Sequence, residues 1–199
     1  MKTLIASSLV TLFATSALAA GAIPAGKYSL DVAHSKVGFE IPHLVISSVE
    51  GRFDKFEGTL DINEKLEKSK ADVKIDVTSI DTANKDRDDH LRSPDFFDVA
   101  KTPNMTFVSK KISGTPEALK ITGDLTIKGK TKSVVLDTKY LGTVKDGYGN
   151  EKIAFNASTK INRKDFGLTW SKAVEVGPVV GDEVTLTLKI QAAKVVEKK

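Results

Sequence analysis

Residues 81–107, reading DTANKDRDDHLRSPDFFDVAKTPNMTF, bring acid–base side chains together more densely than their surroundings do. Arg87, Asp88, Asp89, His90 and Arg92 run directly into a Pro94-Asp95-Phe96-Phe97 step. His90 beside Asp86, Asp88 or Asp89 would supply a general base and the carboxylate that orients it. With Ser93 as nucleophile the set would outline a hydrolase, which also needs an oxyanion hole. No Gly-x-Ser-x-Gly elbow surrounds Ser93. Metal chemistry fares no better. His34, His43 and His90 fall in different elements, without His-x-His or His-Glu-x-x-His spacing, so no metal site is expected. The structural reading is that Asp81, Arg87 and His90 form a hydrogen-bonded ion network that pins a flap. Catalysis by His90 and a neighbouring carboxylate is the alternative.

The flap itself is legible as a helix. Asn84 is a cap residue, Asp86 and Asp88 fall in the first turns, and His90 and Arg92 fall near the end, an order that suits the helix dipole. Ser93-Pro94 resembles a fresh cap followed by proline at a first helical position. Phe96 and Phe97 ride on this second turn, and at least one must pack inward.

The rest of the chain must position this flap, and it alternates like β-strand. Segment 35–43 sets Val37, Phe39, Ile41 and His43 on one face; 72–80 does the same with Val73, Ile75 and Val77. Segments 119–127, 133–141, 155–161 and 184–192 repeat the pattern, and 105–109 reads as a further strand. Lys128-Gly129-Lys130-Thr131 and Asp146-Gly147-Tyr148-Gly149-Asn150 read as hairpin turns, with longer turns at 64–69 and 114–116. About eight strands in a meander, each with one apolar face, make a sandwich or a barrel. Long strands favour the barrel, as do Gly51 and Gly58, placed where a bent strand needs a bulge or close backbone approach. Such a barrel is either filled by side chains or holds one small ligand. Phe53 and Phe56 are an odd number apart, so a bulge near Asp54 is expected to return both rings to the interior.

Composition narrows the class. Residues 1–19 carry Lys2, an apolar run from Leu4 to Leu12 and the small-x-small pattern Ala17-Leu18-Ala19, which predicts a cleavable bacterial signal peptide and a periplasmic protein. Residues 20–199 then form a single domain, with no internal repeat or linker. No stretch suits a transmembrane helix, so no transmembrane anchor is expected. The chain has no cysteine, which leaves out thiolate chemistry and disulfides. Its formal charge of +4 is a small surplus scattered over many lysines. A nucleic-acid site, which wants a clustered basic face with stacking aromatics, is not expected.

The flap residues recur in a known pattern. Thr78-Ser79-Ile80-Asp81-Thr82, Arg87-Asp88, and His90 through Asp98, closed by Pro103 and Thr106-Phe107, resemble the YceI-like family. Three further pieces match in order: His43-Leu44 with Gly51-Arg52-Phe53 and Phe56-Glu57-Gly58; Ile121 through Gly129; and Asn162 through Leu168 with Val180 through Val184. The resemblance implies an all-β fold, an extended eight-stranded antiparallel, lipocalin-like barrel with a short helical insertion. It also implies a hydrophobic pore for a polyisoprenoid or similar chain, such as an isoprenoid quinone tail.

The expected function is therefore a periplasmic carrier that sequesters a long-chain isoprenoid or fatty lipid, not an enzyme. The lipid or quinone would be its ligand, with no cofactor required, and a homodimer is compatible with it. The alternatives are an enzyme acting on such a lipid through His90, or a stress-related envelope protein with a filled barrel. The interior candidates on the strands are Phe39, Ile41, Phe53, Phe56, Phe107, Leu125, Leu136 and Phe155. Phe166 and Trp170 follow the strands, Phe97 would plug or gate the mouth, and His43, at the end of an inward row, is either a satisfied structural histidine, the favoured reading, or the contact for a polar head group.

Overall fold

The computed structural model describes residues 21–174 and 177–196. The predicted signal peptide lies outside the described residues. Among the described residues thirteen strands form, in chain order β1 Gly26–Leu30, β2 Lys36–His43, β3 Ser47–Phe53, β4 Phe56–Ile62, β5 Lys70–Asp76, β6 Ile80–Asp81 and β7 Asn104–Thr115. There follow β8 Ala118–Ile127, β9 Lys130–Lys145, β10 Glu151–Asn162, β11 Ala173–Val174, β12 Gly177–Pro178 and β13 Glu183–Lys194. The α-helix α1 spans Lys85–Arg92 between β6 and β7.

The first six strands are three bent staves. β1 and β2 lie end to end along β13, which pairs Leu30 with Ala192 and Phe39 with Leu186. β3 and β4 run back along them, and β5 and β6 pair with β4 and β3. With β7, β8, β9, β10 and β13 this makes eight antiparallel staves, each paired with its neighbour in the chain, and the contact of β1 with β13 closes the ring. The expected barrel is the one found. Closure leaves inward and outward rows alternating, as the period-two sequence requires.

Each bend has a local cause. In the first stave Asp31–Ser35 breaks the ladder with a 3₁₀ turn, and β13 bridges the gap. Asp31 N–H donates to Gln191 O at 2.8 Å, and Gln191 N–H donates to Ser35 Oγ at 2.9 Å. The second and third staves kink side by side and lock together: Lys55 N–H donates to Ser79 Oγ, and Asp76 N–H to Lys55 O, both at 2.9 Å. Phe53 and Phe56 flank this kink and both are buried. The bulge expected near Asp54 is thus a two-residue break, Asp54-Lys55, which resets the alternation in the same way. Close approach explains the two glycines of this stave. A Cβ on Gly51 would meet the Phe39 ring at 2.3 Å, and one on Gly58 would meet Asp72 O at 2.6 Å.

Asp31 couples its bend to pH. Burial works to raise its carboxyl, but hydrogen bonds from His34, Lys152 and Gln191 outweigh this and hold the pKa at about 2, below the ordinary 3.8. A depressed carboxyl stabilises the fold above the unfolded value and loses that contribution as pH falls through the folded one. Between about pH 5 and pH 2 the protein is expected to lose on the order of 1–2 kcal/mol that Asp31→Asn does not lose. Urea-denaturation midpoints across that range measure the difference, and parallel curves would refute it.

The turn joining β2 to β3 carries strain. Leu44 and Val45 have φ of 51° and 65°, the left-handed region, which a β-branched residue seldom adopts. Val45 is 66% exposed, so its side chain returns little packing energy. Relief of about 1–2 kcal/mol, less the extra chain entropy of glycine, predicts that Val45→Gly raises stability by roughly 0.5–1 kcal/mol. A differential scan reads this as a higher melting temperature; a lower one would contradict it.

Candidate functional site: an apolar tube under a helical flap

The inward rows of the eight staves surround a cavity of about 360 Å³. That volume suits a small-molecule site, and its wall is almost wholly apolar. Phe39, Ile41 and Phe53 line it from the first two staves. Phe107, Leu125, Leu136 and Phe155 line it from β7, β8, β9 and β10. His43, Phe97 and Trp170 contribute at the flap end.

Two expected wall residues are elsewhere. Phe56 and Phe166 are buried but do not line the cavity. Phe56 is the first residue after the kink, and in its strand Leu60 and Ile62 reach the cavity. Phe166 ends a 3₁₀ turn, Arg163–Phe166, beyond the strand rows. Both are core packing.

The flap closes the end where β2, β6, β8 and β10 finish. Asn84 caps α1 by accepting the Arg87 N–H at 3.0 Å. Spacings of three and four place Arg87, His90 and Leu91 on one helix face, and all three line the cavity. The Pro94–Phe97 step is a series of hydrogen-bonded turns, not a second helix, with Phe96 N–H donating to Ser93 O at 3.1 Å. It buries Phe96 and leaves Phe97 half-buried, edge-on to Phe53 with ring centroids 6.1 Å apart.

The network expected of Asp81, Arg87 and His90 divides into three separate contacts. Asp81 bridges to Arg52 at 2.5 Å. Arg87 donates through Nε and Nη2 to Thr82 Oγ1 and Thr82 O, at 2.8 and 2.7 Å. His90 Nε2 meets Asp95 Oδ2 at 3.0 Å. The separation follows from the helix: Arg87 and His90 face the cavity, while Asp81 lies in β6 beside β3. The buried carboxylate of the flap is Asp88, whose Oδ1 accepts from Thr82 N at 2.9 Å and Thr82 Oγ1 at 2.6 Å. Thr82 thus joins Arg87 to Asp88. Its position just before a helix cap is the signal that would have found it.

A second strap crosses the same end between β10 and β13, described over residues 163–174 and 177–182. Arg163 holds it. This side chain is nearly fully buried and donates to Gly181 O at 2.8 Å, Leu168 O at 2.6 Å and Trp170 O at 2.7 Å, with Asp182 Oδ1 at 3.2 Å. Burial pushes its pKa down, opposed by the Asp182 carboxylate. Strap and flap meet at an aromatic seam: Phe96 and Trp170 lie 5.2 Å apart, and His90 stands edge-on to each. Arg163 belonged to a recognisable sequence block, but nothing local marked it as buried.

The His90–Asp95 pair has the geometry of a base and its orienter. Among the described residues no hydroxyl or amine bonds to the other imidazole nitrogen, and no group of three acidic or His side chains is placed to hold a metal. What the arrangement does offer is an apolar tube with a jointed cover.

Comparison with known proteins agrees with this geometry. Residues 28–192 match the YceI-like domain. The chain is 38% identical over 185 residues to the protein YceI of Escherichia coli O157:H7, covering 92% of this chain and 94% of that one. The crystal structure of a Campylobacter jejuni YceI protein superposes with a TM-score of 0.68 at 38% identity, over 84% of this chain and 97% of that one. A polyisoprenoid binding domain from Saccharophagus degradans has the same fold, with a TM-score of 0.64 at 17% identity over 84% and 98% of the two chains.

Proposed function

This chain belongs to the YceI-like family, and from that premise we propose that it is a carrier that sequesters a polyisoprenoid or similar long-chain lipid inside its barrel. The carrying observation is the apolar cavity of about 360 Å³ enclosed by the eight staves. An isoprenoid tail has no hydrogen-bonding groups, so it needs a wall that offers none. Each buried CH₂ contributes about 0.8 kcal/mol before the cost of ordering the chain. The lipid is held and released without chemical turnover, and an isoprenoid quinone is one ligand of this kind. The polyisoprenoid binding domain of the same fold supports the ligand class. The amino-terminal signal pattern supports work in the periplasm.

The test is direct. The protein is purified without detergent from a bacterial envelope fraction, extracted with organic solvent and analysed by mass spectrometry. A long-chain lipid near one equivalent per chain is expected. A clean extract, together with no uptake of added lipid, would overturn the reading.

A further inference from the structure

The cavity wall has a one-sided chemistry. Among the described residues it includes no aspartate or glutamate, while its ionisable groups are all bases: Lys70, Arg87, Arg163, His43 and His90. Lys70 is exposed at the far end, where β5 begins. The other four sit at the flap end. Arg163 is used up on three carbonyls and Asp182, so it offers nothing further. Arg87 differs. Its Nε and Nη2 donate to Thr82, and its Nη1 has no acceptor among the described residues. His43 makes no side-chain hydrogen bond there either, and one nitrogen of His90 is uncommitted.

None of the acidic residues of the flap lines the cavity. Asp89 pairs with Lys85 and Arg92, Asp88 is spent on Thr82, and Asp95 holds His90 without lining the cavity. Arg87 is therefore balanced only at second hand, through the Thr82 hydroxyl that Asp88 accepts from. A guanidinium at the mouth of a low-dielectric tube, without a direct carboxylate partner, gains most from an anion that brings its own acceptor oxygens.

We propose that the lipid carries an anionic head, a phosphate or a carboxylate, seated at the flap end on Arg87 with His43 and His90 beside it. The proposal rests on the carrier reading and narrows its ligand: a neutral quinone or alcohol would fill the tube and leave Arg87 without its counter-charge. The tail then runs down the tube towards Leu66 and Ile23, at the opposite end of the wall.

Three ligands with the same C20 tail separate the cases: geranylgeranyl monophosphate, geranylgeranoic acid and geranylgeraniol. Trp170, the single tryptophan, lines the cavity at the mouth, so its fluorescence follows binding. The phosphate, the acid or both are expected to bind about tenfold or more tightly than the alcohol, as a charge-assisted contact implies. Which of the two leads identifies the source of the head. Arg87→Gln is expected to bring the three affinities together; Arg87→Lys should restore part of the preference, and Lys70→Gln should not alter it. Equal binding of all three ligands, or a preference that survives Arg87→Gln, overturns the assignment and leaves the carrier reading standing. Failure of all three to bind overturns both.

Discussion

Replacing Ala157 by phenylalanine is expected to abolish uptake of a long lipid while leaving the barrel folded. Ala157 lies midway along β10, opposite Thr138 of β9 and Leu188 of β13, with its methyl group on the cavity wall. A benzyl group there has nowhere to go but the lumen. In a packed core such an insertion costs about 1–3 kcal/mol, but here the ring enters existing void and buries its own surface. Stability should therefore stay within about 1 kcal/mol of the parent. The lipid loses the part of its tail that would pass the block. Five displaced methylene-sized groups at about 0.8 kcal/mol each amount to about 4 kcal/mol, close to a thousandfold in affinity. A ligand short enough to sit between the block and the flap should bind as before, which separates a blocked tube from a damaged one. Unchanged affinity for the long ligand would show that the lumen is not where the lipid goes.

Ala157 has an inward face by its sequence pattern, but no local signal marks it as facing a void. The inward row of β10 was legible because alternation over 155–161 is uninterrupted, and Ala157 sits on the same face as Phe155 and Ile161. Nothing in a period-two pattern tells whether the rows facing one another touch. A filled barrel and a hollow one have the same alternation, because the difference lies in the sum of side-chain volumes across strands far apart in the chain. The staves were legible wherever one strand runs unbroken, as in β8 and β13. They were harder to read at the bends. The kink of the second stave exists because the third stave kinks beside it, and Ser79 serves both sides of that joint.

The site shows the same division. The Asn84 cap, the charge order of α1 and the inward Phe97 are local, and local rules found them. The pairing of charges was not local. Arg87, Asp81 and His90 look like partners in sequence, yet one binds a threonine, one binds Arg52 of the neighbouring β3, and one binds Asp95. Helix periodicity decides which of them face the cavity, and register decides the rest.

The second large effect comes from a residue that touches no lipid. Arg163→Ala should cost about 3–5 kcal/mol, the range for removing one member of a buried, hydrogen-bonded charge cluster. Three carbonyls, of Gly181, Leu168 and Trp170, would lose their donor at once, and each lies in the strap that covers the flap end. Arg163→Lys should recover only part of this, because one ammonium cannot reach acceptors spread over three nitrogens of a planar fork. The loss has a direction as well as a size. The strap meets the flap where Trp170 touches Phe96 and His90, so loosening it should open the mouth before the barrel itself melts. Urea denaturation followed by Trp170 fluorescence is expected to show an early transition that far-ultraviolet circular dichroism, which follows the strands, does not share. Lipid dissociation should quicken in the same variant while the parent barrel signal persists. Coincident transitions at the parent midpoint would mean that Arg163 merely fills space and that the cover does not depend on it.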